Sequence, residues 1–153
     1  MLVPSQENPE KTTFSKQSHT STEHLKMYEH QKEAVTFRKL MGQPINHFSP
    51  STLVMQQRLI SEEYEEFLES HCEANEYLQN KRSREACLKE LADLVYVAYQ
   101  YSATAGWDLD EALTRVHQSN LSKLDDDLKP IKREDGKVIK GPNYKKPTLI
   151  DLV

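Results

Sequence analysis

Five carboxylates set into apolar helical seams constrain this chain more than any other feature. They lie in Arg58-Leu-Ile-Ser-Glu62-Glu63-Tyr-Glu-Glu66-Phe-Leu-Glu69 and, some twenty residues later, in Lys89-Glu90-Leu-Ala-Asp93-Leu. On a helix of 3.6 residues per turn Glu62 and Glu66 stack one turn apart, Glu63 stands three before Glu66, and Glu90 and Asp93 stack likewise. Steps of three and four place Met55, Leu59, Glu62 and Glu66 on one stripe, and Ala86, Glu90, Asp93, Val97 and Tyr101 on another. Such stripes pack inward, and ionised carboxylates crowded there repel and lose hydration unless a cation neutralises them. Hard divalent ions such as Mg2+ or Mn2+, which prefer oxygen ligands, suit that role.

A competing reading is a solvated acidic face, the usual fate of glutamate on helices. Glu65, Glu69 and Glu73 are read that way. The second cluster tips the balance for the others, because Glu90 and Asp93 interrupt the most apolar stretch of the chain, 88 to 101. A di-iron or di-manganese bundle would want Glu-x-x-His, whereas Glu63 and Glu90 are followed three residues later by Glu66 and Asp93. A non-enzymatic helical adaptor or dimeric regulator is the alternative from another class; it would be indifferent to Mg2+, whereas clustered acids would be stabilised by it.

With 153 residues, 37% of them hydrophobic, the chain can bury one domain core. Its net charge of -4 argues against nucleic acid held by bulk electrostatics. Cys72 and Cys87 have no metal-ligand spacing and are read as buried thiols of a cytoplasmic protein. No apolar run reaches bilayer length and no signal-peptide pattern opens the chain, so no membrane association is expected.

Residues 1–19 are polar with two prolines and read as a flexible arm. A capping box at Thr20 and Glu23 and the stripe Leu25, Tyr28, Gln31, Val35 and Leu40 predict a first helix near 22–41. The loop 42–48 carries Gln43, Asn46, His47 and Phe48 between Gly42 and the next cap, and reads as a turn that could also meet a planar base. Ser49-Pro50 opens a second helix to about Ser70. After a charged connection, a third helix runs from about Arg84 to Ala105 and stops at Gly106. It is apolar on more than one side, which predicts a central position or a subunit interface. Asp108 and Glu111 cap a fourth helix reaching about Lys123. The helical domain is thus set at 20–124, followed at 125–153 by a basic flap with seven cations between Lys129 and Lys146 and a tight turn at Asp135-Gly136.

Glu62-Glu63-x-x-Glu66, Glu90-x-x-Asp93, Asn120-Leu-Ser-Lys123 and Asp135-Gly-Lys137 through Tyr144 together resemble the MazG-like nucleotide pyrophosphohydrolases of the all-alpha NTP pyrophosphatase superfamily. The resemblance spans roughly residues 22–147. It implies an all-α bundle of four to five helices with a C-terminal hairpin or loop flap, assembled as a homodimer or homotetramer. It also implies two or three Mg2+ ions per site, with Mn2+ accepted, and cleavage of a nucleoside triphosphate into monophosphate and pyrophosphate. Carried over to this chain, Glu62, Glu63, Glu66, Glu90 and Asp93 would bind metal, and Glu62 or Glu63 would act in catalysis, Glu62 by holding metal or orienting water. Asn120, Lys123, Lys137, Lys140 and Tyr144 would hold sugar and phosphates. The register Glu65-Glu66-x-x-Glu69 satisfies the first motif too; the one beginning at Glu62 keeps the acids on the seam. The base is left open: dUTP and dGTP are leading candidates, and Phe37, Met41, Gln43 and His47 could line its pocket.

Overall fold

The computed structural model describes residues 29–153. The N-terminal arm, the Thr20 capping box, Leu25 and Tyr28 lie outside those residues. Four α-helices follow in order: α1 (His30–Leu40), α2 (Pro50–Glu76), α3 (Lys81–Ala105) and α4 (Leu109–Leu121), then a short 3-10 turn, Ile150–Leu152. The described chain is all-helical, with two isolated antiparallel bridges in place of strands.

Local chemistry sets most boundaries. Ser49 caps α2 reciprocally with Thr52, and Pro50 sits at its first position. Asp108 caps α4 by accepting from the Glu111 amide at 3.0 Å. Gly106 closes α3 at φ 82°, a left-handed conformation that a side chain would strain. Two boundaries differ from expectation. Glu29 is non-helical, so α1 starts at His30 rather than continuing through from residue 22. The connection expected over 71–83 shrinks to a turn at 77–80, because α2 runs on to Glu76 and the Asn80 side chain caps α3 by accepting from the Arg82 amide.

Helices α2 and α3 form a long antiparallel hairpin, and α1 lies across α3. Two contacts fix the register of the hairpin. Near the turn, the Ser83 hydroxyl donates to Glu73 at 3.1 Å. Toward the other end, the buried Arg38 of α1 donates to both Gln56 of α2 and Gln100 of α3, at 3.4 and 3.2 Å, and to the Pro44 carbonyl at 2.8 Å. The α2 seam therefore runs through Gln56, Ile60, Glu63, Phe67, Ser70 and Ala74, all buried or half-buried. That corrects the predicted stripe. Met55, Glu62 and Glu66 are exposed beside the seam, about 100° round the helix, because the packing that orients α2 centres on Gln56 rather than on its apolar neighbour. On α3 the expected stripe holds at Glu90, Asp93, Val97 and Tyr101, with Ala86 exposed.

The small core of Ala34, Tyr99 and Ala103, with Val35 and Leu109 against it, joins α1, α3 and the start of α4. Polar bonds lock the same junction: the Tyr99 hydroxyl donates to Asp110 at 2.8 Å, the Gln31 amide donates to Asp110 at 3.0 Å, and the Ser102 hydroxyl donates to Gln31 at 2.6 Å. One face of α3 stays open, with Leu88 66%, Leu91 42%, Val95 49% and Tyr96 40% exposed. Cys87 is half-buried, but Cys72 is exposed, since α2 continues past residue 70 and carries it to the solvent side. No helix of the described residues is long and apolar enough to cross a membrane.

Candidate metal centre

The hairpin register brings Glu63 of α2 against Glu90 and Asp93 of α3, with one carboxylate oxygen from each lying within 4.8 Å of the others. Partial burial of the three follows from their place on the seam. A divalent ion with oxygen ligands at about 2.0–2.6 Å holds any two of them no more than about 5 Å apart, so this donor set fits such an ion in both chemistry and spacing. Glu62 and Glu66 are exposed next to this group. Glu66 is close enough to act on Glu63, as are Asp93 and Glu62. Glu65 and Glu69 face solvent, so it is the register beginning at Glu62-Glu63 that presents an acid to α3.

The electrostatics show strain relieved by one cation. Partial burial, followed by the charges of Glu66 and Asp93, pushes the Glu63 carboxyl above its ordinary value, while Lys89 opposes the rise. The Lys89 ammonium lies 3.0 Å from Glu90 and 2.9 Å from Asp93. Hydrogen bonds to both hold it charged well beyond the usual lysine range. Three carboxylates facing one ammonium leave net negative charge for a further cation.

The remaining expected residues gather elsewhere. Lys123 donates to Asn120 at 2.6 Å, and Lys140 lies 4.4 Å over the Tyr144 ring. A hydrogen bond with Ser119, then the charges of Lys140 and Lys123, lower the Tyr144 hydroxyl from its ordinary value. Lys137 sits apart, in the turn at Asp135-Gly136, where its amide donates to Asp135. Residues 122–153 fold back onto α4: Arg115 grips both Asp151 oxygens at 2.6 and 2.7 Å and the Thr148 carbonyl at 2.9 Å, and Ser119 donates to the Lys145 carbonyl. Among the described residues, no hydrogen bond or ion pair joins 111–153 to α2 or to the acid-bearing half of α3. Of the base-pocket candidates, Phe37 packs edge-on against Tyr96, one turn from Asp93, while His47 is pinned by its amide to the Thr104 carbonyl at the far end of α3.

Sequence reasoning overlooked Lys89 and Arg38. The i,i+4 spacing of Lys89 and Asp93 is a legible signal for the first. A charged residue in a helical last turn gives no sign that it will be buried, so Arg38 had none.

Residues 34–120, more than half of the chain, match the family model of phosphoribosyl-ATP pyrophosphohydrolase. The chain belongs to this family. The phosphoribosyl-ATP pyrophosphohydrolase family falls within the MazG-like all-alpha NTP pyrophosphatase superfamily, and the all-helical fold agrees with it. Membership makes the protein a pyrophosphohydrolase acting on a nucleotide, and its Glu63, Glu90 and Asp93 form a group able to hold a metal ion. No curated protein matches the sequence.

Proposed function

We propose that this member of the family is a metal-dependent nucleoside triphosphate pyrophosphohydrolase, converting a (d)NTP and water into the (d)NMP and pyrophosphate. The observation that carries the reading is the convergence of Glu63, Glu90 and Asp93 oxygens within 4.8 Å of one another. These three residues, with Glu66 beside them, would hold Mg2+ or Mn2+, two or three ions per site. Such ions supply charge neutralisation at the phosphoryl oxygens and acidify water. Glu62, exposed at the edge of the cluster, orients the attacking water toward the alpha phosphorus and accepts its proton, or serves as a further ligand. Asn120, Lys123, Lys140 and Tyr144 bind sugar and phosphates, and Lys137 closes from the flap.

The open face of α3 supports a homo-oligomer. A homodimer or homotetramer would cover Leu88, Leu91, Val95 and Tyr96. In such an assembly the basic arm of one copy would lie within reach of the acidic hairpin of another.

Pyrophosphate release measured against all canonical NTPs and dNTPs tests the reading, with dUTP and dGTP as leading candidates. Phosphoribosyl-ATP belongs in the same panel, since the family match favours it as a second reading and its cleavage to pyrophosphate uses the same chemistry. Failure to release pyrophosphate from any of them with Mg2+ or Mn2+ present would overturn the proposal.

A further inference from the structure

Lys89 is the one cation that contacts the acid cluster among the described residues, and any part it plays toward a metal rests on the proposed metal site. Its ammonium touches both oxygens of Glu90, at 3.2 and 3.0 Å, and Asp93 at 2.9 Å, while its side chain is 61% exposed. It therefore occupies the same carboxylates that a divalent ion would use, on a flexible stem free to swing into water. Two cations cannot share those oxygens without like-charge repulsion at short range. Glu63 is not bonded to Lys89, so the cluster stays under-neutralised even with the ammonium in place.

We infer that Lys89 is an internal counter-ion, holding Glu90 and Asp93 together in the absence of metal and releasing both when a divalent cation enters. Its ion pairs then set the metal affinity of the site. Two partly exposed ion pairs of ordinary strength correspond to about a fivefold change in a binding constant. Removing the ammonium strengthens metal binding and weakens the metal-free fold, whereas a guanidinium in its place preserves the competition.

The test titrates Mn2+ into wild-type protein, Lys89→Gln and Lys89→Arg, following free Mn2+ by electron paramagnetic resonance and melting temperature with and without Mg2+. The glutamine variant is expected to bind Mn2+ about fivefold more tightly, to melt lower without metal and to gain more from Mg2+. The arginine variant should stay within about twofold of wild type. Glutamine binding no tighter than wild type, or arginine tightening as much as glutamine, overturns the role of Lys89 alone. Wild-type protein that takes up no Mn2+ overturns the metal reading and this inference with it.

Discussion

Glu63 and Asp93 face each other across α2 and α3, two helical turns along the same seam from the buried pair Gln56 and Gln100. Seven residues separate the two positions on each helix, so one register serves both, roughly 10 Å apart. At the Gln end Arg38 seals the seam, whereas at the other end Glu63, Glu90 and Asp93 stay half-exposed.

Asp93→Asn keeps the shape of the side chain and removes its charge from the cluster. Turnover should fall at least about 100-fold, since a charged ligand of the proposed metal ions is lost. Helicity by circular dichroism should be unchanged. Wild-type-like pyrophosphate release at saturating Mg2+ would dismiss the cluster as the catalytic centre.

Arg38→Met leaves the buried Gln56 and Gln100 side-chain oxygens short of a donor and also removes the bond to the Pro44 carbonyl. The Gln100 side-chain nitrogen already lacks a partner among the described residues, so this network has little slack. A loss of roughly 2–4 kcal/mol is expected in urea denaturation. A change under about 1 kcal/mol would show that the network contributes nothing net.

Gly106→Ala places a methyl group 3.1 Å from the Asn46 amide oxygen at a φ of +82°. The left-handed backbone alone costs about 1–2 kcal/mol. Thermal unfolding should show a clear drop in midpoint, and an unchanged midpoint would mean that the α3 end and the 42–48 loop can separate freely.

Acid should release the C-terminal segment. The Arg115 bond holds the Asp151 carboxyl below its ordinary value of 3.8, so its contribution is present above that value and disappears as pH falls through the lowered one. Protection from hydrogen exchange over 148–153, relative to the unfolded chain at the same pH, should be present at neutral pH and fall away below about 3.8. Asp151→Asn should exchange fast already at neutral pH; slow exchange there would place the anchor elsewhere.

Leu91→Asp puts a charge in the middle of the open α3 face and should shift sedimentation from oligomer to monomer. Mixing Glu90→Gln with Lys123→Ala subunits tests the reach of the arm. If sites form between copies, the mixture regains activity that neither variant has alone; no recovery in a verified mixed oligomer means that each chain completes its own site.

Much of the local structure was legible. The caps at Ser49 and Asp108 and the stop at Gly106 depend on side chains bonding to backbone within a few residues, and they stand where the sequence puts them. So does the pairing of an acidic α2 with Glu90 and Asp93, because the spacing on each helix fixes which residues share a face. The orientation of α2 about its axis was not legible. Apolar periodicity favoured Met55 and Leu59, but Gln56 is buried by Arg38, a partner that lies in another helix.

By itself, then, the chain determined four helices, the capped ends at Ser49, Gly106 and Asp108, and two acid clusters, since these follow from interactions over a few residues. Only the tertiary structure decided that Glu63 rather than Glu62 or Glu66 closes on Glu90 and Asp93, that Lys89 already sits on those two, and that the basic residues 123–144 gather apart from them. Each of these turns on rotations and distances between elements far apart in sequence, set by packing that no local pattern encodes.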